Sequence, residues 1–120
     1  MKIGVKRVYE AVASDDGLRI LVDRLWPRGL SKESARIDFW AREVAPSNEL
    51  RRWYGHDPAK WPEFRRRYCA EMDANPAAVA ELLGRIGEHR ASFLYSSKEE
   101  KLNNAVVLRE YVESRRKRGS

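Results

Sequence analysis

Apolar positions follow two different periods along this chain. Ile3 to Val8 alternates, with Ile3 and Val5 on one face and Lys6 and Val8 on the other, and predicts a strand. Leu18 to Asp23 predicts a second. Its Ile20-Leu21-Val22 segment is apolar on both faces, as in a central strand covered on two sides. Ala91 to Tyr95 predicts a third. Elsewhere the apolar spacing is three and four. Trp61, Phe64, Tyr68 and Met72 form one helical stripe, and Val79, Leu82, Leu83 and Ile86 form another that stops at Gly87. The last helix is expected from Leu102 to about Arg116, apolar at Leu102, Ala105, Val106, Leu108 and Val112.

Turn and cap residues punctuate these elements. Ala11 to Gly17 reads as a loop closed by Ser14-Asp15-Asp16-Gly17. Ser31 is a suitable N-cap for a short helix through Ala35. Pro46-Ser47-Asn48-Glu49 opens a helix that carries Leu50, Trp53 and Tyr54 to Gly55. Asp57-Pro58 pairs a cap with proline at the first helical position, and Asn75-Pro76 repeats the device. Ile37 to Val44 fits the start of either a strand or a helix, and Ser96 to Glu100 reads as a polar loop. The resulting order, two strands, several helices, a strand and a helix, predicts an α/β protein. Its small, mostly parallel sheet is flanked by helices in a single compact domain over 1–120 that ends in a basic tail, 115–120.

At 120 residues and 42% hydrophobic composition the chain can build one real core. The net charge of +6 points toward nucleic acid, but Arg115, Arg116, Lys117 and Arg118 carry four of those charges, and the body is left near +2. A single cysteine, Cys69, excludes an intrachain disulfide framework. No run approaches the roughly 18 apolar residues of a membrane span. The alternating N-terminus lacks the pattern of a signal peptide, so a cytoplasmic protein without membrane contact is expected.

Candidate chemistry gathers where predicted strands end. After Leu21-Val22-Asp23 come Arg24, Trp26-Pro27-Arg28-Gly29 and the helix start at Ser31-Lys32. Open α/β sheets keep ligands at strand carboxyl ends. Guanidinium groups grip phosphate or carboxylate through paired hydrogen bonds. The competing reading makes Asp23 and Arg24 a structural ion pair and Trp26 a core plug. Tyr95-Ser96-Ser97-Lys98-Glu99-Glu100, followed by Asn103-Asn104, repeats the arrangement of strand, polar loop and helix. Lys98 faces the same crevice if the two strands are neighbours; otherwise the segment is an ordinary capped helix with a charged loop. His56 beside Asp57 suggests a dyad, yet Asp57 already serves as a cap. His89 lies at a helix exit, and Cys69 within the aromatic helix reads as a small buried hydrophobe. These scattered groups form no metal set, and no Gly-rich phosphate loop is present. Arg65-Arg66-Arg67, with Arg51-Arg52 and the tail, make a second positive surface, which Glu63 and Glu71 are spaced to neutralise.

Several of these stretches also carry a family pattern. Val22-Asp23-Arg24-Leu25-Trp26-Pro27-Arg28-Gly29-Leu30-Ser31-Lys32 resembles the signature of the YeaO-like branch of the bacterial domain-of-unknown-function 488 (DUF488) family. So do Ala45-Pro46-Ser47, Leu50 through Pro58, Trp61 with Phe64 to Tyr68, and Leu94-Tyr95 through Ala105 to Leu108. The resemblance covers nearly the whole chain and implies a compact bacterial α/β fold more than a reaction. It also implies Cys- and His-containing motifs over the stretch matching Ser96–Asn104, usually ending His-Asn-His in this branch. Here that ending reads Leu102-Asn103-Asn104: Asn103 is retained and both histidines are gone. Asparagine orients a ligand by hydrogen bonds but does not titrate near neutral pH.

The expectation is therefore a protein that binds an anionic, phosphorylated small molecule at the strand carboxyl ends, with neither cofactor nor metal. Arg24 and Arg28 would hold its charge, Lys98 would add a second cation, Asn103 would orient it, and Ser31 would stand at a helix start offering backbone donors. No catalytic residue is assigned, and the oligomeric state stays open. The alternative is a nucleic-acid-associated protein using the Arg65–Arg67 face and the tail. Self-association through exposed aromatics is a third reading.

Overall fold

A computed structural model describes residues 3–119, with side chains as far as Arg116. Four strands, β1 (Ile3–Arg7), β2 (Leu18–Leu21), β3 (Phe39–Trp40) and β4 (Ala91–Tyr95), form one sheet in the order β1-β4-β2-β3. Every pairing is parallel. Helices α1 (Lys32–Ala35), α2 (Asn48–Tyr54), α3 (Trp61–Asp73), α4 (Pro76–Ile86) and α5 (Asn104–Gly119) complete a single domain. β4, apolar but for Ser92, is buried along its whole length and lies between β1 and β2, with Ala91 level with both Ile3 and Leu18. Parallel strands covered on both faces read as such runs. All four strands point the same way, so Arg7, Leu21, Trp40 and Tyr95 end at one edge of the molecule.

β2 stops two residues earlier than its apolar pattern suggests. The Val22 amide still donates to the Leu94 carbonyl (3.0 Å), but the Val22 carbonyl accepts from the Asn104 side chain (2.9 Å). A side chain thus takes the place of a further ladder bond and turns Asp23 and Arg24 out of the sheet. The ambiguous Ile37–Val44 segment is both strand and turn. Phe39 and Trp40 add a fourth strand to β2, missed in the predicted order, and Arg42–Val44 follows as a 3-10 turn. Bonds from β2 fix it: Asp38 N–H donates to the Arg19 carbonyl, and Ala41 N–H to that of Leu21, each at 2.8 Å.

Several caps behave as predicted. Ser31 and Ser47 accept from Ser34 and Leu50 amides, and Asp57 accepts from the Ala59 amide (3.0 Å), although a 3-10 turn over Pro58–Lys60 precedes α3. Asn75 does not cap α4; its side-chain amide donates to the Glu43 carbonyl (3.0 Å), and Pro76 alone supplies the helix start. The last helix begins at Asn104 rather than Leu102, because the Glu99 carboxylate takes the Lys101 and Leu102 amides into a preceding turn. Val107, absent from the expected stripe, is buried with Ala105, Leu108 and Val112, whereas Val106 is half-buried.

Phe64, Tyr68 and Met72 of α3 enter a core with Ile20, Leu82, Ile86, Phe93 and Leu108. Tyr68 is fully buried, and its hydroxyl donates to the Val44 carbonyl (2.8 Å). Burial pushes its phenol well above the usual range, so it stays a donor. Tyr68→Phe leaves that carbonyl unpaired, and urea unfolding is expected to register a loss of about 1–2 kcal/mol. Among the described residues no helix is long and apolar enough to cross a membrane.

Candidate functional site

Two adjoining hollows open at the carboxyl edge of the sheet. The smaller, about 170 Å³, is lined by Arg24, Arg51, Tyr54, His56, Ser97 and Asn103, among others. The larger, about 640 Å³, has Arg7, Arg28 and Lys98 on its walls with Tyr9, Leu25 and Trp26. Asp23, Arg51 and Ser96 line both.

The Asp23–Arg24 ion pair envisaged from their adjacency does not form. Asp23 turns toward β4: its carboxylate accepts from the Ser96 amide (2.8 Å) and hydroxyl (2.7 Å), and from the Asn104 side chain (3.1 Å). These bonds tie the end of β2 to the loop after β4. The Arg24 guanidinium instead donates through Nε to the Pro46 carbonyl (3.0 Å) and through Nη2 to that of Ala45 (2.9 Å). Those carbonyls precede α2, so a neutral loop orients the cation, and among the described residues no ion pair engages it. Arg51, exposed on α2, has Asn48 Oδ1 as its partner (3.1 Å).

Arg7 reaches the larger hollow from the end of β1. Its Nε donates to the Ser97 carbonyl (2.9 Å), Nη2 donates to that of Ser96 (3.3 Å), and the guanidinium lies 4.8 Å above the Tyr9 ring. The Tyr9 hydroxyl donates to the Arg28 carbonyl (2.9 Å). Trp26 is not a core plug. It is half-buried, meets Trp40 edge-on at 5.4 Å, and donates from its indole to the Leu30 carbonyl (2.7 Å).

The five residues expected to hold a ligand therefore separate. Arg28 and Lys98 share the larger hollow, while Arg24 and Asn103 line the smaller one beside it. Ser31 lines neither; its hydroxyl caps the four-residue α1. Asn103 is only 4% exposed, with both ends of its amide engaged: Nδ2 donates to the Glu99 carbonyl and Oδ1 accepts from the Val106 amide. It shapes the first turn of α5. Arg7, Asp23, Arg51, Tyr54 and Ser96 join the site without having been singled out as ligand residues. For Asp23 and Ser96 the signal was their position just past strands; the sequence groups Arg51 with the Arg65–Arg67 surface, whereas the structure places it between the two hollows.

Charges of both signs meet at this edge. Glu99, which faces the Lys101 and Leu102 amides, is held below the usual carboxylate range by those two bonds. Tyr54 donates to the Leu102 carbonyl (3.0 Å), and burial, then the charges of Glu99 and Asp57, raise its phenol. His56 is exposed with φ of 58°, a left-handed backbone that few residues other than glycine adopt, histidine, asparagine and aspartate more readily than the rest.

Other candidate groups lie elsewhere. Cys69 is half-buried and its thiol is raised by burial, away from thiolate. His89 Nδ1 lies 3.2 Å from the Ile86 carbonyl. No cluster of three or more metal-ligating side chains occurs among the described residues. On α3, Glu63 pairs with Arg66 (2.6 Å) and Arg67 (2.7 Å), and their hydrogen bonds pull its carboxyl down to about 2. Arg65 pairs with Glu110 (3.0 Å), and Arg67 also lies over Trp53. Glu71, expected to neutralise that run, accepts instead from the Ser47 amide and hydroxyl. Of the basic tail, Arg115 approaches Asp73 at 3.9 Å, and the Lys117 and Arg118 side chains lie outside the described residues.

A family model described as the inactive DUF488-N3 subclade matches residues 2–120. The uncharacterised protein Rv3073c of Mycobacterium tuberculosis H37Rv is 40% identical over 114 residues, covering 95% of this chain and 96% of the relative. The uncharacterised protein YeaO of Escherichia coli K12 is 38% identical over 114 residues, covering 95% and 99%. No solved structure matches the chain significantly.

Proposed function

This chain belongs to the DUF488 family, within the group described as its inactive N3 subclade, and from that premise we propose that it binds a small phosphorylated anion without turning it over. One observation carries the reading: the cations at the strand carboxyl ends are oriented by neutral groups and not by ion pairs, although the Asp23 carboxylate lies among them. Arg24 is held by two neutral carbonyls, and among the described residues no ion pair engages Arg7, Arg28, Arg51 or Lys98. The basic run of α3, by contrast, is matched by Glu63 and Glu110. A guanidinium beside a hollow and outside any ion pair can take an anion as its charged partner.

Binding without turnover is supported by what replaces the histidines of the YeaO-like pattern. Asn104 links Val22 and Asp23, and Leu102 offers its backbone carbonyl to Tyr54. Neither side chain moves a proton near neutral pH. The nucleic-acid alternative leans on the Arg65–Arg67 face, where each guanidinium already has a carboxylate.

Thermal unfolding in inorganic phosphate, against chloride at equal ionic strength, tests the proposal. At a hundred times its Kd, phosphate should add about 2.7 kcal/mol of stability. Arg24→Ala and Arg51→Ala, each compared with its own phosphate-free melting temperature, should lose that rise, and removal of residues 117–120 should keep it. A melting temperature that phosphate does not move sinks the proposal. So does a rise that survives loss of Arg24 but disappears with the tail.

A further inference from the structure

The larger hollow is apolar as well as cationic. Among the described residues the large apolar side chains left exposed are Tyr9 (40%), Val12 (42%) and Leu25 (56%). Two of these three line the hollow that also holds Arg7, Arg28 and Lys98. Its rings are fixed in advance. Tyr9 lies under the Arg7 guanidinium with its hydroxyl on the Arg28 carbonyl, and Trp26 is braced by Trp40 with its indole N–H on the Leu30 carbonyl. With the polar atoms of both rings donating to backbone carbonyls, the rest of each ring presents hydrocarbon. Leu25 stands more exposed than either ring, although Pro27, two residues on, is buried.

A bare inorganic anion has no use for such a wall. It would satisfy Arg24 and Arg51 in the smaller hollow and leave Tyr9, Leu25 and Trp26 wet. We infer that the ligand is an organic phosphate with a flat apolar body: the phosphate faces Arg24 and Arg51, and the body crosses the shared Asp23–Ser96 boundary onto Tyr9, Leu25 and Trp26. The rigid aromatic surface lowers the ordering cost of binding. Arg28 and Lys98 flank the body and favour a further negative group at its far end. This rests on the proposed anion site and names the class of molecule that fills it.

Phenyl phosphate and inorganic phosphate, titrated calorimetrically into the full chain, separate the two levels. Covering about 60 Å² of apolar surface should make phenyl phosphate about tenfold tighter. Leu25→Ser, at a position too exposed to carry the fold, should bring the ratio of the two dissociation constants toward one. Arg24→Ala should weaken both ligands. Equal affinities in the unaltered protein, both lost with Arg24, would overturn this inference and leave the anion site standing. A preference for phenyl phosphate untouched by Leu25→Ser would place the body elsewhere and overturn it as well. Absence of saturable binding by either ligand would remove both the site and its ligand class.

Discussion

Asp16→Asn is expected to cost about 3 kcal/mol of folding stability, close to the range for breaking a buried ion pair from one side. Asp16 is 6% exposed at the end of the 3-10 turn before β2. It takes Lys6 from β1 (2.9 Å), Arg19 from β2, and the Ala13 amide (3.0 Å). Arg19 is itself buried, and its guanidinium also donates to the Ala35 and Arg36 carbonyls, which fastens α1 to the sheet. An amide at position 16 would remove the charge that compensates two cations and turn an N–H₂ toward one of them. Chemical denaturation at neutral pH measures the loss.

The same residue gives a pH dependence of known sign. Burial alone raises the Asp16 carboxyl, but the bonds from Ala13, Lys6 and Arg19 outweigh it and bring it below its ordinary 3.8. A carboxylate whose folded value is depressed contributes stability above the unfolded value and loses it as pH falls through the folded one. Stability should therefore decline on acidification below about pH 4. In Asp16→Asn that acid-dependent part should shrink, so the difference between the two proteins narrows as pH drops. A constant difference down to strongly acid pH would contradict the assignment.

Gly17→Ala should be comparably damaging for a reason of shape. Gly17 has φ of 68°, where a Cβ is strained, and an added Cβ would drive into the Arg90 carbonyl. That carbonyl accepts the Leu18 amide (2.8 Å), the bond that begins the β2–β4 ladder. The substituted residue must leave the left-handed region or push Arg90 away, and either move loosens the central strand pair. A loss of about 3 kcal/mol or more is expected from strain and overpacking together. Gly29, at φ of 78° with open space around its Cβ position, is the control: alanine there meets only the backbone strain.

The strands and helices were legible where one local force decides them. β4 and the centre of β2 announce themselves by apolar runs, broken in β4 by Ser92 alone, and α2 by a serine cap and a glycine stop at Gly55. β3 was not legible, because two residues have no pattern of their own and are strand only through bonds offered by β2. The strand order was likewise invisible; nothing local to β4 says that both β1 and β2 will flank it. At the site, the position of Arg24 past a central strand was legible, but its partners were not. Backbone carbonyls at residues 45 and 46 belong to every residue type and leave no mark in sequence. The division of Arg24 from Arg28 and Lys98 into neighbouring hollows follows from the path of the Trp26–Pro27 loop, which is set by Trp40 and the Leu30 carbonyl.

The place of β4 also dictates when the molecule can take shape during synthesis. β1 and β2 are made first yet never hydrogen-bond to each other; β2 has β3 as an early partner, but β1 has no partner strand until residues 91–95 are made. A nascent chain arrested before that point holds a β2–β3 pair and a separate β1 with no template between them, however complete its helices. The sheet closes only once residues 91–95 have been made, which makes its formation an event dominated by distant pairings.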